Sequence, residues 1–94
     1  MKSILQDKKE CFVTGNTEGL HKHHIFFGTA NREISDQHGL WVWLSWYLHV
    51  ADSPYKTPHN DSQTDQALRK ICQTEYEKTH TRDEFMDLIG RNYL

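Results

Sequence analysis

The segment Leu20-His21-Lys22-His23-His24-Ile25 constrains this chain more than any other. Flanked by Leu20 and by Ile25-Phe26-Phe27, it reads as a strand, the second arm of a hairpin running into a loop. Side chains on a strand alternate between faces, so His21 and His23 point to one side and His24 to the other. Two adjacent imidazoles so placed are free for different tasks: one can ligate a metal while its neighbour faces a substrate. The chain carries seven histidines in 94 residues, where ordinary usage gives roughly two. His49 and His59 flank a loop with Asp52, Ser53, Pro54, Tyr55 and Lys56, and a loop that folds back brings both to one ion. Three neutral imidazoles with open positions suit a divalent cation. Because ligating histidines must be deprotonated, such a site empties at acid pH. His38 and His80 read as ordinary surface residues.

The length bounds the chain to one domain, residues 1–94, small enough that a bound metal would help hold it together. A formal net charge of -2 excludes a strongly basic nucleic-acid coat. It leaves open a local basic patch with a metal supplying the positive field. Cys11 and Cys72 lie far apart and form no CxxC pair, which points to reduced thiols and an intracellular protein. With no long apolar stretch, neither a secretion signal nor a membrane span is visible, and the expected location is the cytoplasm.

Residues 1–10 are polar and are expected to be flexible. Cys11 to Thr17 reads as a short strand entering a Gly15-Asn16 turn. In the polar stretch from Gly28 to Gly39, Asn31 is placed to cap one short helical turn that Gly39 ends. Leu40-Trp41-Val42-Trp43-Leu44 is apolar on both faces, a buried strand or the start of a buried helix, with aromatic and branched content favouring strand. Ser45 to Val50 suits a helical turn carrying His49. A helix begins at Asn60 or Ser62, with Leu68, Ile71, Cys72 and Tyr76 at helical spacing. Another starts at Thr81, where Glu84 completes a capping box and Gly90 is a fitting stop. The fold class is α+β, with residues 60–94 as a C-terminal helical part. Trp41, Trp43, Trp46 and Tyr47 serve core packing or, alternatively, a partner surface or base stacking. Gly90 to Leu94 docks on the core or mediates a homodimer.

Four segments, Cys-Phe-Val-Thr-Gly (11–15), Leu-His-Lys-His-His-Ile-Phe-Phe-Gly-Thr-Ala-Asn-Arg (20–32), Gly-Leu-Trp-Val-Trp-Leu (39–44) and Phe-Met-Asp-Leu-Ile-Gly-Arg-Asn-Tyr-Leu (85–94), resemble a family of short phage and prophage HNH-like proteins. The resemblance runs from Cys11 to Leu94 and implies a small ββα-metal core. It implies a metal-dependent DNA endonuclease holding Mg, Mn, Ni or Zn through His23, His49 and His59. His24 would be the general base that takes a proton from water. Lys22 and Arg32 would hold neighbouring phosphates of the DNA. The chain departs from the family pattern in two places. The middle Asn of the HNH triad is expected near His38 to Leu40, where none stands, and Asn31 lies earlier. Where some of these proteins carry zinc-knuckle cysteines, this chain has Cys11 with Thr14 and Ser45, so a four-cysteine zinc site is absent and Cys11 reads as a small buried hydrophobe. The missing Asn, the acidic balance and the aromatics frame one alternative, an inactive inhibitor of a host defence nuclease complex (anti-CRISPR-like). The resemblance implies another, a DNA-packaging accessory, since such proteins often act beside the phage terminase.

Overall fold

The computed structural model describes residues 1–94. Its elements are β1 (Leu20–His24), α1 (Thr29–His38), β2 (Trp41–Ser45), a 3-10 turn (Trp46–Leu48), α2 (Ser62–Tyr76) and α3 (Arg82–Ile89). The class is α+β, as the sequence implies. β1 and β2 pair antiparallel, with His23 opposite Val42 and His24 opposite Trp41. Opposite residues share a face, so His21 and His23 lie with Leu44 and Val42, while Lys22 and His24 lie with Trp43 and Trp41. No helix is long and apolar enough to cross a membrane.

The hairpin differs from the expected one. Cys11 to Thr17 is not a strand; it closes on itself as a turn, with Gly15 N–H donating to the Cys11 carbonyl and Cys11 N–H to that of Asn16. Gly15 in the left-handed region tightens the bend back over the residues before it. The strand that β1 pairs with instead comes after α1. That helix runs ten residues rather than one turn, with Gly28 and not Asn31 at its N-cap. Ser35, fully buried, anchors it by donating to the Phe26 carbonyl at 2.8 Å. A polar helix held by one inward hydroxyl has almost no apolar periodicity to betray it.

β2 is apolar on both faces because both are covered. On one side Val42 and Leu44 join Ile25, Phe26, Leu68, Cys72, Tyr76 and Phe85 in the core. The rest of the explanation is the N-terminal segment, which packs along the strand. Residues 1–10 strap the outer edge of β2. Ser3 Oγ donates to the Trp41 carbonyl at 2.5 Å, Gln6 Oε1 accepts from Trp43 N–H at 2.8 Å, and Ile4 N–H donates to the Gly39 carbonyl at 2.9 Å. Phe12 N–H completes the edge on the Trp43 carbonyl at 2.8 Å. Side chains and single amides thus satisfy an edge that would otherwise be exposed. Lys9 covers the Trp43 ring. Of the aromatic set, Trp41 is buried and Trp46 exposed.

The C-terminal helices follow the sequence closely. Asp61 caps α2 by accepting from Thr64 N–H at 2.9 Å, and Thr81 and Glu84 form the capping box of α3. The tail docks on the core: Gln73 holds Asn92 and the Tyr93 N–H, and Arg69 donates to the Tyr93 hydroxyl at 2.7 Å.

Gly39 ends α1 in the left-handed region at φ 71, where a Cβ would also collide with the Lys2 carbonyl of the strap. Gly90 has similar backbone (φ 85) and open space. Gly39→Ala should therefore cost about 2 kcal/mol or more in urea unfolding, against about 1 kcal/mol for Gly90→Ala. Equal losses would show that the strap adds nothing at Gly39.

Candidate metal centre

Three segments of different kinds deliver three imidazoles. β1 carries His23, fixed by its register against Val42. The 3-10 turn ends at His49, whose N–H donates to the Trp46 carbonyl. His59 comes from the loop before α2. That loop folds back because Asn60 clamps it. The Asn60 Nδ2 donates to the carbonyls of Ala51, Ser53 and Tyr55, at 3.3, 3.3 and 2.9 Å. Its Oδ1 accepts from Thr57 N–H at 2.8 Å. Thr57, itself fully buried, adds a bond from its hydroxyl to the Val50 carbonyl.

One ring nitrogen from each of His23, His49 and His59 lies within 4.8 Å of the others. The Nε2 atoms of His49 and His59 are 3.2 Å apart. Two ligands at about 2.0 Å from one tetrahedral ion stand about 3.3 Å apart, so this pair needs little adjustment. The decisive member is His23. Its side chain is 0% exposed, yet neither ring nitrogen has a hydrogen-bond partner. An orphaned buried polar group costs about 1–3 kcal/mol, a cost that a bound cation would remove. The donor set therefore fits a divalent metal.

Electrostatics keep these rings neutral and ready to ligate. Burial, then the neighbouring His49 and His59, pull His23 down from an ordinary 6.5 to about 3. Burial, then His59 and His21, pull His49 to about 4. Burial also lowers His59, with Arg32 adding to the effect and Asp65 opposing it.

The remaining expected residues gather at the same place. A cavity of about 60 Å³ is lined by Lys22, His23, His24, Phe27, Arg32, His49 and His59, room for an ion and a few waters. His24 makes its hydrogen bond through Nε2, to Asp36 Oδ1 at 3.0 Å. Lys22 reaches the cavity wall, but its ammonium is spent on Asp36 at 2.7 Å and on the Trp41 ring. Hydrogen bonding from Lys22 first, with His24 assisting against a small effect of burial, holds the Asp36 carboxyl below its usual range. Arg32 is exposed and makes no ion pair. It also lines a wider, open cavity of about 400 Å³ with Phe27, Gly28, Thr29 and His59.

Sequence reasoning missed Asp36 and Asn60. Asp36 lies on α1, an element too polar to be recognised, and no spacing rule links it to His24. Asn60 had a signal, since Asn beside a proline-rich loop favours local backbone bonding. Cys11, Thr14 and Ser45 do converge: Cys11 Sγ accepts from Thr14 N–H at 3.5 Å, and the Thr14 and Ser45 hydroxyls are 3.4 Å apart. Burial raises the Cys11 thiol, but hydrogen bonds from Ser45 and Thr14 outweigh it and bring it to about 7. Comparison of the chain with protein-family models, with curated proteins and with solved structures returns no match.

His23→Leu should stabilise the metal-free protein by about 1–2 kcal/mol, since it replaces an unsatisfied buried ring with apolar volume, and should abolish Zn²⁺ binding in calorimetric titration. A destabilised variant that still binds zinc would contradict the assignment. The pH response has a definite sign. Unfolded histidines take protons near pH 6.5, whereas His23 and His49 in the fold wait until about pH 3 and 4. The unfolded chain thus binds more protons in that window. Melting temperature of the metal-free protein should be insensitive to these groups above pH 6.5 and fall as pH drops from 6.5 toward 4.

Proposed function

We propose that the protein is a divalent-metal-dependent DNA endonuclease of the HNH, ββα-metal kind. The observation that carries this reading is the meeting of three neutral imidazoles, one of them buried without a partner, in a cavity that His24 and Arg32 also line. Metal storage alone would not call for a fourth imidazole backed by a carboxylate.

His23, His49 and His59 would hold the cation, which would supply neutralisation of the charge that develops on the phosphate and the leaving 3′ oxygen. His24 acts on water. Its Nε2–H donates to Asp36, which leaves Nδ1 as the basic nitrogen. As the water oxygen bonds to phosphorus and the bond from phosphorus to the 3′ oxygen breaks, the water proton passes to His24 Nδ1. The 3′ oxygen takes a proton from solvent. Asp36 is a positioning residue: it orients the ring and stabilises the imidazolium that forms, supporting the base where the expected Asn is missing. Arg32, free of any acidic partner, grips a flanking phosphate with its planar fork. Lys22 serves Asp36 rather than DNA.

A second reading, a non-catalytic protein that binds a host nuclease complex or assists DNA packaging, draws on one observation. With Lys22 engaged by Asp36, Arg32 alone offers an unpaired cation among the cavity residues, a thin footing for a phosphate backbone.

Supercoiled-plasmid nicking with Mg²⁺, Mn²⁺, Ni²⁺ or Zn²⁺ separates the two. His24→Ala should keep metal affinity and lose activity by about 10²–10⁴-fold. Asp36→Ala should lose less and change the pH–rate profile. Absence of nicking with every metal, or equal nicking by His24→Ala, would overturn the nuclease reading.

A further inference from the structure

His21 precedes His23 by two residues on the same face of β1 and stands outside the three-ring cluster. Its Nδ1 lies 3.0 Å from Nδ1 of His49, with the two rings edge-on at 87°. The other nitrogen of His49, Nε2, faces Nε2 of His59. His49 is thus addressed on both sides, by a fellow cluster member at Nε2 and by His21 at Nδ1.

This arrangement decides a tautomer. A neutral imidazole carries one proton, and the nitrogen that gives its lone pair to an ion cannot hold it. With Nε2 of His49 turned to the ion, the proton sits on Nδ1 and needs an acceptor. The acceptor provided is His21 Nδ1. We infer that His21 is a positioning residue for the metal centre: it accepts the Nδ1–H of His49 and so fixes that ring's tautomer and plane with Nε2 toward the cation. His21 then carries its own proton on Nε2, where its exposed ring lets water accept it. β1 supplies a rigid base for this, because the strand that places His23 as a ligand places His21 one step along the same face. Outer partners of this kind typically change metal affinity 10–100-fold.

The inference rests on the metal-centre reading, and the experiment separates their failures. Zn²⁺ affinity by chelator competition, and the visible spectrum of the Co²⁺ form, are measured for wild type, His21→Leu and His21→Asn. Asn offers an oxygen where Nδ1 stood; Leu offers none. His21→Leu should bind zinc about 10–100-fold more weakly, with His21→Asn recovering most of the loss. At saturation the Co²⁺ spectrum of His21→Leu should match wild type, because no ligand has been removed. Unchanged melting of the metal-free variants shows that folding is not the cause. Wild-type affinity in His21→Leu overturns the inference and leaves the metal centre standing. Equal loss in Leu and Asn, with an altered Co²⁺ spectrum, overturns it in favour of direct ligation. A wild type that takes no metal overturns both.

Discussion

The structure turns on one imidazole sealed from water with nothing to bond. His23 is carried into the interior because β1 must place alternate residues beneath the sheet, and the register that buries Val42 and Leu44 buries it too. Leucine at that position would serve the core better. The rings of His49 and His59 lie against the His23 ring, brought there by the 3-10 turn and by the loop that Asn60 clamps. Phe27 packs against both His23 and His59, so the cluster runs from a buried ring at His23 to an exposed one at His59.

A two-stranded sheet is a weak foundation for such a site, since an isolated hairpin is marginal in water. The chain compensates at both ends. The N-terminal strap occupies the free edge of β2, and the C-terminal tail closes over α2 through Gln73 and Arg69. Arg69 links the tail to the candidate site: it pairs with Asp65 at 3.1 Å and lies over the rings of Phe26, Phe27 and Tyr93. Stability and site share residues here, so substitutions in the tail should be felt at the histidines through packing rather than charge.

What the sequence revealed depended on whether a residue's role was local. Thr81 with Glu84, and Gly39 and Gly90 as stops, act within a turn of themselves, and each could be read directly. His23, His49 and His59 were legible because imidazole is chemically distinctive and this chain carries an excess of it. The strap was not: Ser3 and Gln6 act on residues 37 or 38 positions away, through side chains that composition marks as solvent-loving. The same blindness hid Asp36, twelve positions from His24, and the pairing of His21 with His49, 28 positions on. The turn at Cys11 to Thr17 misled for the opposite reason. Its apolar residues suggest a strand, but Gly15 and Asn16 govern the backbone before them as well as after.

The Asn60 clamp has a consequence for how a cation would enter. Ordering the Ala51–Pro58 loop costs conformational entropy, but here backbone and amide bonds meet that cost during folding, before any ion arrives. Capture of a cation would then need little rearrangement of the polypeptide. A preorganised cradle of this sort would also dictate spacing to its guest, so discrimination among ions would follow from size and preferred coordination geometry rather than from the order in which they are encountered.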